Sequence, residues 1–279
     1  MRYLRLCLLF LCINSFIFGQ NLTVATYNIR CENRTDNANG NGWNRRCPEV
    51  INLIRNHDFD LFGAQEVVAG QLKDLQANLP EYAHVGVARD DGKAKGEFSP
   101  IFYKKDQYKL LNSGTFWLSP NDSVPNVGWD AALPRICTWA RFQQQNGWRF
   151  WFFNLHMDHL GKVARLESAK LVLRKIKEMC GNDNVILSGD FNMDQTSDGY
   201  KIIAETLADS YLKAQERHAT KPTFNDYNLH ATGDSRIDHI FVSSRIDVVR
   251  YDILTDTYNA DTTRLPSDHY SVRAVLKIN

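Results

Sequence analysis

Short runs rich in β-branched and aromatic residues recur from residue 22 to the C-terminus, separated by helix-period stretches with no Ser/Gly-rich linker. That alternation constrains the fold more than any single residue does. The strand candidates are LTVATYNIR (22–30), DLFGAQEV (60–67), AHVGVAR, PIFYKK, YKLLNSGTFWLS, ICTWARFQQ, RFWFFNLHMDH, NVILSGDFN, RIDHIFVSS, VVRYDIL and HYSVRAVLKIN. Helical spacing is expected over about 47–56, where Val50, Ile51 and Ile54 share a side, over 70–79, and over 163–180. The last is the clearest, with Leu166, Ala169, Val172, Leu173, Ile176 and Met179 in helical register. Residues 119–134 are rich in Pro, Asn, Asp and Gly and read as an irregular loop. One α/β domain over 21–279, with two mixed sheets packed together and helices outside, satisfies this order.

The first twenty residues stand apart. Arg2 and Arg5 precede an apolar run from Leu6 to Phe18 that ends at Gly19-Gln20. The run is too short for a membrane span and fits a cleavable secretory signal, hence a secreted or periplasmic protein. Leu11 before Cys12 stands where a lipoprotein signal has a small residue, which argues against lipid attachment. Cleavage would take two of the 33 basic residues and none of the 32 acidic ones, leaving a net charge of −1. A basic stripe for gripping nucleic acid is therefore not expected. Cys31, Cys47, Cys137 and Cys180 would remain, without a CxxC pair. Cys31 and Cys47 flank the polar loop ENRTDNANGNGWNRR and, in an oxidising compartment, invite a bridge that would pin it.

The strand candidates share a peculiarity at their ends. TYNIR ends with Asn28 nearby, FGAQE with Glu66, and FFNLHMDH with Asn154, His156, Asp158 and His159. ILSGDFN brings Asp190 and Asn192, RIDHIF brings Asp238 and His239, and LPSDHY brings Asp268 and His269. Separate turns explain so many carboxylate, amide and imidazole groups poorly, whereas a site gathered at strand ends explains them together. Oxygen donors without thiolates favour a hard cation such as Mg²⁺. Histidines beside carboxylates suit proton transfer and charge neutralisation at phosphate. GxxxxGK[ST], GxGxxG and GxSxG are all missing, so metal-assisted attack of water on phosphorus remains.

YNIR, QE, NLHMDH, GDFN, RIDHIF and SDH, in this order over nearly the whole chain beyond residue 20, resemble the endonuclease/exonuclease/phosphatase superfamily. That superfamily includes DNase I-like nucleases, abasic-site repair endonucleases, sphingomyelinases, inositol polyphosphate phosphatases and poly(A) deadenylases. VGVARDDGKAKGEFSPIFYKKD and GTFWLS…GWDAALPRICTWARF resemble a bacterial, often secreted branch near its deadenylase-like members. The resemblance implies a DNase I-like four-layer α/β sandwich and a set of roles. Glu66 would be the main Mg²⁺ ligand, with Asn28 beside it and Asp268 opposite; Mn²⁺ is the alternative metal. Asp190 would orient or deprotonate the attacking water, and Asn192 would hold a phosphate oxygen. His269, oriented by Asp238, would contact the phosphorane, and His156 would stabilise charge or assist the leaving group. The base, Asp190 or His269, stays open.

Glu97, in GEFSP, resembles a position near the substrate in the deadenylase-like members and is a candidate substrate or metal contact. Arg30, Arg135 and Arg165 either reach phosphate or serve as ion-pair partners. Strand alternation turns Asp158 and His159 to opposite faces, and His239 is expected to face the core. His57, His84, His218 and His230 read as surface or structural. Trp139, Trp148 and Trp151 read as core, Trp43 and Trp129 as loop packing.

The implied function is a secreted, Mg²⁺-dependent phosphoesterase. Phosphodiester cleavage is favoured over monoester cleavage because most relatives with this motif set attack diesters. Nucleic acid, phospholipid headgroups (as in a sphingomyelin-type diesterase) and inositol phosphates all fit the core. A monomer without a stable protein partner is expected. From another class, a phosphate-ligand-binding protein that has lost catalysis is opposed by the intact Glu66, Asp190, Asp238 and His269.

Overall fold

The computed structural model describes residues 21–278; the signal expected over residues 1–20 lies outside the described residues. Two mixed sheets form the centre. The seven-stranded sheet runs β10 (Glu216–His218), β12 (Ile246–Leu254), β15 (Ser271–Ile278), β1 (Asn21–Asn28), β2 (Leu61–Gln65), β4 (Ile101–Lys104), β3 (Tyr82–Val85). The six-stranded sheet runs β5 (Tyr108–Trp117), β6 (Ile136–Gln144), β7 (Arg149–His156), β8 (Asn184–Asp190), β11 (Asp238–Val242), β9 (Ala208–Asp209). A small hairpin pairs β13 (Tyr258–Asn259) with β14 (Thr263–Arg264).

Strand alternation sorts the side chains into three cores. On β1, Leu22 and Val24 face the other sheet, while Ala25 and Tyr27 face outward. On β7, Phe150 and Phe152 face inward and Trp151, Phe153 and Leu155 outward. The inward set meets Leu61, Ile101, Ile186, Ile240 and Val272 between the sheets. Outside the first sheet lie α2 (Trp43–Asn56) and α3 (Ala69–Asn78), burying Val50, Ile51, Leu53, Ile54, Leu72 and Leu75. Outside the second lie α4 (Lys162–Cys180) and α5 (Asp198–Thr206), burying Ala169, Val172, Ile176, Tyr200 and Ile203. The expected four-layer order of helix, sheet, sheet and helix is present. No described helix is long and apolar enough to cross a membrane.

The inter-sheet core changes character toward one end of the strands. Continuing the inward face, β7 places Asn154 after Phe152, β1 places Thr26 after Val24, and β8 places Ser188 after Ile186. Asn154 Nδ2 donates to the carbonyls of Ala64 (2.8 Å) and Pro100 (3.0 Å), while Gln65 Nε2 donates to Asn154 Oδ1 (2.7 Å) and Thr26 Oγ1 (2.9 Å). The bonds of Asn154 clamp the two sheets, and satisfying its amide offsets the cost of burying it. Gly63 lets them close: a Cβ there would stand 2.2 Å from Asn154 Oδ1. Asn154 is thus a clamp beneath the site rather than part of it.

Elements differ from expectation at their ends. The strand expected over 83–89 stops at Val85, and the strand from Arg149 stops at His156. The unanticipated elements are α1 (Arg34–Ala38), α5, α6 (Ser210–Lys213) and the short strands β9, β10, β13 and β14. The expected Cys31–Cys47 bridge is corrected: all four described cysteines are free. The loop is held instead by the fully buried Arg46, whose guanidinium donates to the carbonyls of Ile29 (2.6 Å), Asn41 (2.7 Å), Arg30 (3.0 Å) and Pro266 (3.0 Å). Four charge-assisted bonds leave a disulfide little to add. Trp43 begins α2, buried, with Nε1 donating to Asp74 (2.9 Å), whereas Trp129 is partly exposed in its loop. Trp139 and Trp151 pack outside the second sheet, while Trp148 stacks on Phe150.

Candidate active site

One step beyond the polar layer, the inward face carries Asn28 on β1, His156 on β7, Asp190 on β8 and Asp238 on β11. Strand register sets His156 beside Asp190, and Asp190 beside Asp238. A cleft of about 460 Å³ opens here, lined among others by Glu66, Glu97, Arg135, His156, Asp190, Asn192, Asp268 and His269. Arg30, Glu66, Asn192 and Asp226, also in its lining, are non-glycine residues with positive φ (49–60°). Such backbone costs about 1 kcal/mol or more per residue and concentrates where side chains must be aimed.

His269 Nδ1 and Asp238 Oδ2 are 2.9 Å apart and both residues are buried. Burial opposes the charged ring, but Asp238, aided by Asp190 and Asp268, pushes the His269 imidazolium up to about 10. Asp190 is pushed up to about 7 by burial and the nearby Asp238 carboxylate, against the pull of His269. Its Oδ1 accepts from the Asn192 N–H (2.9 Å), and its Oδ2 from Asn28 Nδ2 (3.0 Å). His156 Nε2 stands 3.5 Å and His269 Nε2 3.9 Å from Asp190 Oδ2. Burial, then the Arg135 and Arg89 charges, hold His156 well below its usual range and therefore neutral. Glu66 is held below its ordinary value: burial opposes this, but the Cys31 N–H (3.0 Å), His269 and the Asn28 amide (3.1 Å) prevail. Asp268, 3.2 Å from Arg30 Nη1, is raised by burial despite the attraction of His269.

Glu66, Asp190, Asp238 and Asp268 are opposed here by His269 and Arg30, and Arg30 is shared with Asp36. Ligand atoms of Asp190, Asp238 and His269 lie within 4.8 Å of one another. An excess of buried carboxylate with oxygen donors is a set that a hard divalent cation fits. The opposite wall is different. Arg89 donates to both oxygens of Glu97 (2.7 and 2.9 Å), whose carboxyl is pushed up by burial, and Glu97 lies 3.8 Å from His156 Nδ1. Arg135 donates through Nε to Asp158 (3.2 Å) and through Nη2 to His159 Nδ1 (3.0 Å), leaving Nη1 buried without a protein partner.

His156, Asp190, Asn192, Asp268, His269, Glu66, Glu97 and Arg135 are thus brought to one cleft, with Asp238 behind His269. Asn28 gives its NH₂ group to Glu66 and Asp190, spacing the two carboxylates, and its oxygen accepts from the Arg30 N–H (3.0 Å). One expected residue differs. Arg165 lies outside the cleft lining and donates to the Asp158 carbonyl (2.8 Å), because the first turn of α4 carries it away. His239 is core, with Nε2 against the Met193 carbonyl (2.9 Å) and its ring on Phe191. Arg89 and Phe224 went unread. Arg89 sits in a charged loop, and Phe224 is a half-exposed aromatic whose ring meets the edge of His269 at 5.0 Å.

A model of the endonuclease/exonuclease/phosphatase family matches residues 25–269. The chain belongs to that family. A member from Bacteroides thetaiotaomicron is 48% identical, superposes with a TM-score of 0.91, and is matched over 93% of this chain and 96% of its own. The mannosyl-6-phosphatase of the same organism is 49% identical at a TM-score of 0.89, over 91% of this chain and 99% of its own. An uncharacterised protein of Acanthamoeba polyphaga mimivirus is 28% identical over 85% of this chain and 82% of its own length. Members are phosphoester hydrolases, and this hydrolase carries the fold and motif residues of that chemistry.

Asp158 offers a test of how the wall is held. Its carboxylate accepts from the Leu160 (3.0 Å) and Gly161 (2.8 Å) N–H groups as well as Arg135. Burial opposes its charge, yet these bonds hold it down to about 2. A depressed carboxyl stabilises the fold above its ordinary pKa of about 4, and the gain disappears as pH falls through about 2. Asp158→Asn should therefore cost roughly 1–3 kcal/mol at pH 7 in urea unfolding, with the gap narrowing between about pH 4 and pH 2. A gap that stays constant over that range would contradict the ion-pair account.

Proposed function

We propose that this hydrolase is a Mg²⁺-dependent phosphomonoesterase acting on a small, hydroxyl-rich phosphate ester such as a hexose 6-phosphate. The carrying observation is the compact cleft with two unlike walls. One wall holds carboxylates suited to a cation; the other holds Glu97, Arg135 and His159 as donors and acceptors for a polar leaving group, with Arg89 bonded to Glu97 behind them. A volume near 460 Å³ suits a phosphate with one sugar-sized substituent better than a polymer. The similarity to a mannosyl-6-phosphatase supports the same substrate class.

Glu66 and Asp268 would hold the cation, which when bound neutralises phosphate charge and polarises the phosphorus centre. Asp190, made more basic by burial and the neighbouring Asp238 carboxylate, takes the proton of the attacking water. His269, charged through Asp238, donates toward the equatorial oxygens as negative charge grows on them. The side-chain NH₂ of Asn192 is committed to the Met157 carbonyl (3.0 Å), so holding a phosphate oxygen would require it to exchange that bond. Neutral His156 sits between Asp190 and Glu97, placed to donate an N–H hydrogen bond to the leaving oxygen, which takes its proton from solvent.

Phosphate release from mannose 6-phosphate should exceed hydrolysis of bis(p-nitrophenyl) phosphate by at least about 100-fold in kcat/KM, require Mg²⁺, and fall about 10³-fold or more in folded His269→Ala. Preference for the diester, or for nucleic acid, would overturn the monoester reading. Retained activity in His269→Ala would remove His269 from the mechanism.

We also propose that residues 1–20 direct export and are removed, leaving a monomeric enzyme in the periplasm or outside the cell. N-terminal sequencing of the mature protein should start near Asn21; a retained Met1 would contradict cleavage.

A further inference from the structure

The Asp238–His269 pair is built from two sheets. Asp238 opens β11 in the six-stranded sheet, and His269 precedes β15 in the seven-stranded one. Neither carboxylate geometry nor strand pairing explains how the two stay aligned. Asp238 Oδ2 meets His269 Nδ1, but Asp238 Oδ1 is buried with no hydrogen-bond partner among the described residues. The aspartate is therefore not locked by its own side chain, and its orientation must come from the backbone that carries it.

That backbone is held on one side by its ladder with β8 and on the other by one hydroxyl. Thr223 is fully buried in the segment that precedes Phe224. Its Oγ1 accepts from the N–H of Ile237 (2.9 Å) and the N–H of Asp238 (3.1 Å). Its own N–H donates to the Ser235 carbonyl (3.1 Å), while its carbonyl accepts from the Tyr270 N–H (2.8 Å). The next residue, Phe224, forms a β-bridge with His269 and sets its ring against the imidazole. One residue thus ties Ser235–Asp238 on one sheet to His269–Tyr270 on the other.

We propose that Thr223 is a positioning residue for the reaction, setting the alignment of the Asp238 carboxylate with the His269 ring across the two sheets. Thr223 is not itself part of the cleft lining, though it bonds Ile237 and precedes Phe224, which are, and it meets no reacting atom. Its effect passes through the backbone N–H of Asp238, because two buried N–H groups share one acceptor and both lose it when the hydroxyl goes. Thr223→Val is the matched substitution, keeping β-branching while removing the acceptor. Thr223→Ser keeps the acceptor and removes only a methyl group.

The test compares wild type, Thr223→Val and Thr223→Ser by two readouts. The first is the downfield proton signal of His269 Nδ1–H in metal-free protein, assigned with His269→Ala. The second is Mg²⁺-supported turnover of p-nitrophenyl phosphate and bis(p-nitrophenyl) phosphate, following whichever is cleaved. The expected result is loss or upfield movement of the signal in Thr223→Val, with kcat at least tenfold lower and KM within threefold, and recovery of both in Thr223→Ser. A folded Thr223→Val with wild-type signal and kcat would overturn the proposal. So would a loss in kcat matched by Thr223→Ser, since the hydroxyl would then be irrelevant. If Thr223→Val does not fold, Thr223→Ala replaces it under the same criteria. If that also does not fold, Thr223→Ser alone decides: a wild-type signal and kcat support the proposal, and their loss overturns it.

Discussion

Each central strand presents alternate residues to a shared inter-sheet space, and that space changes from apolar to polar at a common height. Below, Phe150, Phe152, Val24, Leu61 and Ile186 exclude water and stabilise the sandwich by burial. At the next level Asn154 bonds across the sheets to Gln65 and to the carbonyls of Ala64 and Pro100, with Thr26 and Ser188 bonded within their own sheets beside them, which leaves little freedom for sliding. One level higher the same face carries Asn28, His156, Asp190 and Asp238. The site is therefore the final layer of the core, rigid because what lies beneath it is packed and hydrogen-bonded.

That placement has an electrostatic consequence. Groups grouped at the end of a buried face lose solvent, so each is strongly biased by its neighbours. Asp238 makes His269 a persistent cation, while Asp238 and burial together make Asp190 a weaker acid than usual. Across the cleft, burial, aided by the charges of Arg135 and Arg89, keeps His156 neutral. Two imidazoles within reach of one carboxylate thus differ in charge, His269 as a cation opposing growing negative charge and His156 as a neutral hydrogen-bond donor. The carboxylate-rich wall and the guanidinium-rich wall give the cleft a direction, which the proposed chemistry uses.

Much of this was readable from the chain because period-two alternation and polar strand ends are local signals. Asn28, Glu66, His156, Asp190, Asp238 and His269 each stand next to an apolar run, so both the strands and the cluster could be inferred. What escaped depends on direction rather than identity. The sequence does not say which end of the Asn28 amide faces the carboxylates, or that the first turn of α4 carries Arg165 away from phosphate reach. Arg46 was invisible for a related reason: nothing local shows that a loop arginine will find four carbonyls, one of them from Pro266 far along the chain. Phe224 and Thr223 lie in a segment without periodicity, and their contacts with His269, Tyr270 and Asp238 exist only after the sheets have packed.

The central claim is the proposal that Glu66 and Asp268, on the carboxylate wall, would hold a divalent cation. Calorimetric titration of chelator-treated protein with Mg²⁺, beside folded Glu66→Gln and Asp268→Asn, tests it most directly. The account predicts saturable binding in the wild type that weakens by at least about tenfold in each variant, roughly 1.4 kcal/mol of binding free energy. Saturable binding that survives both substitutions, or no binding to folded wild type, would contradict it.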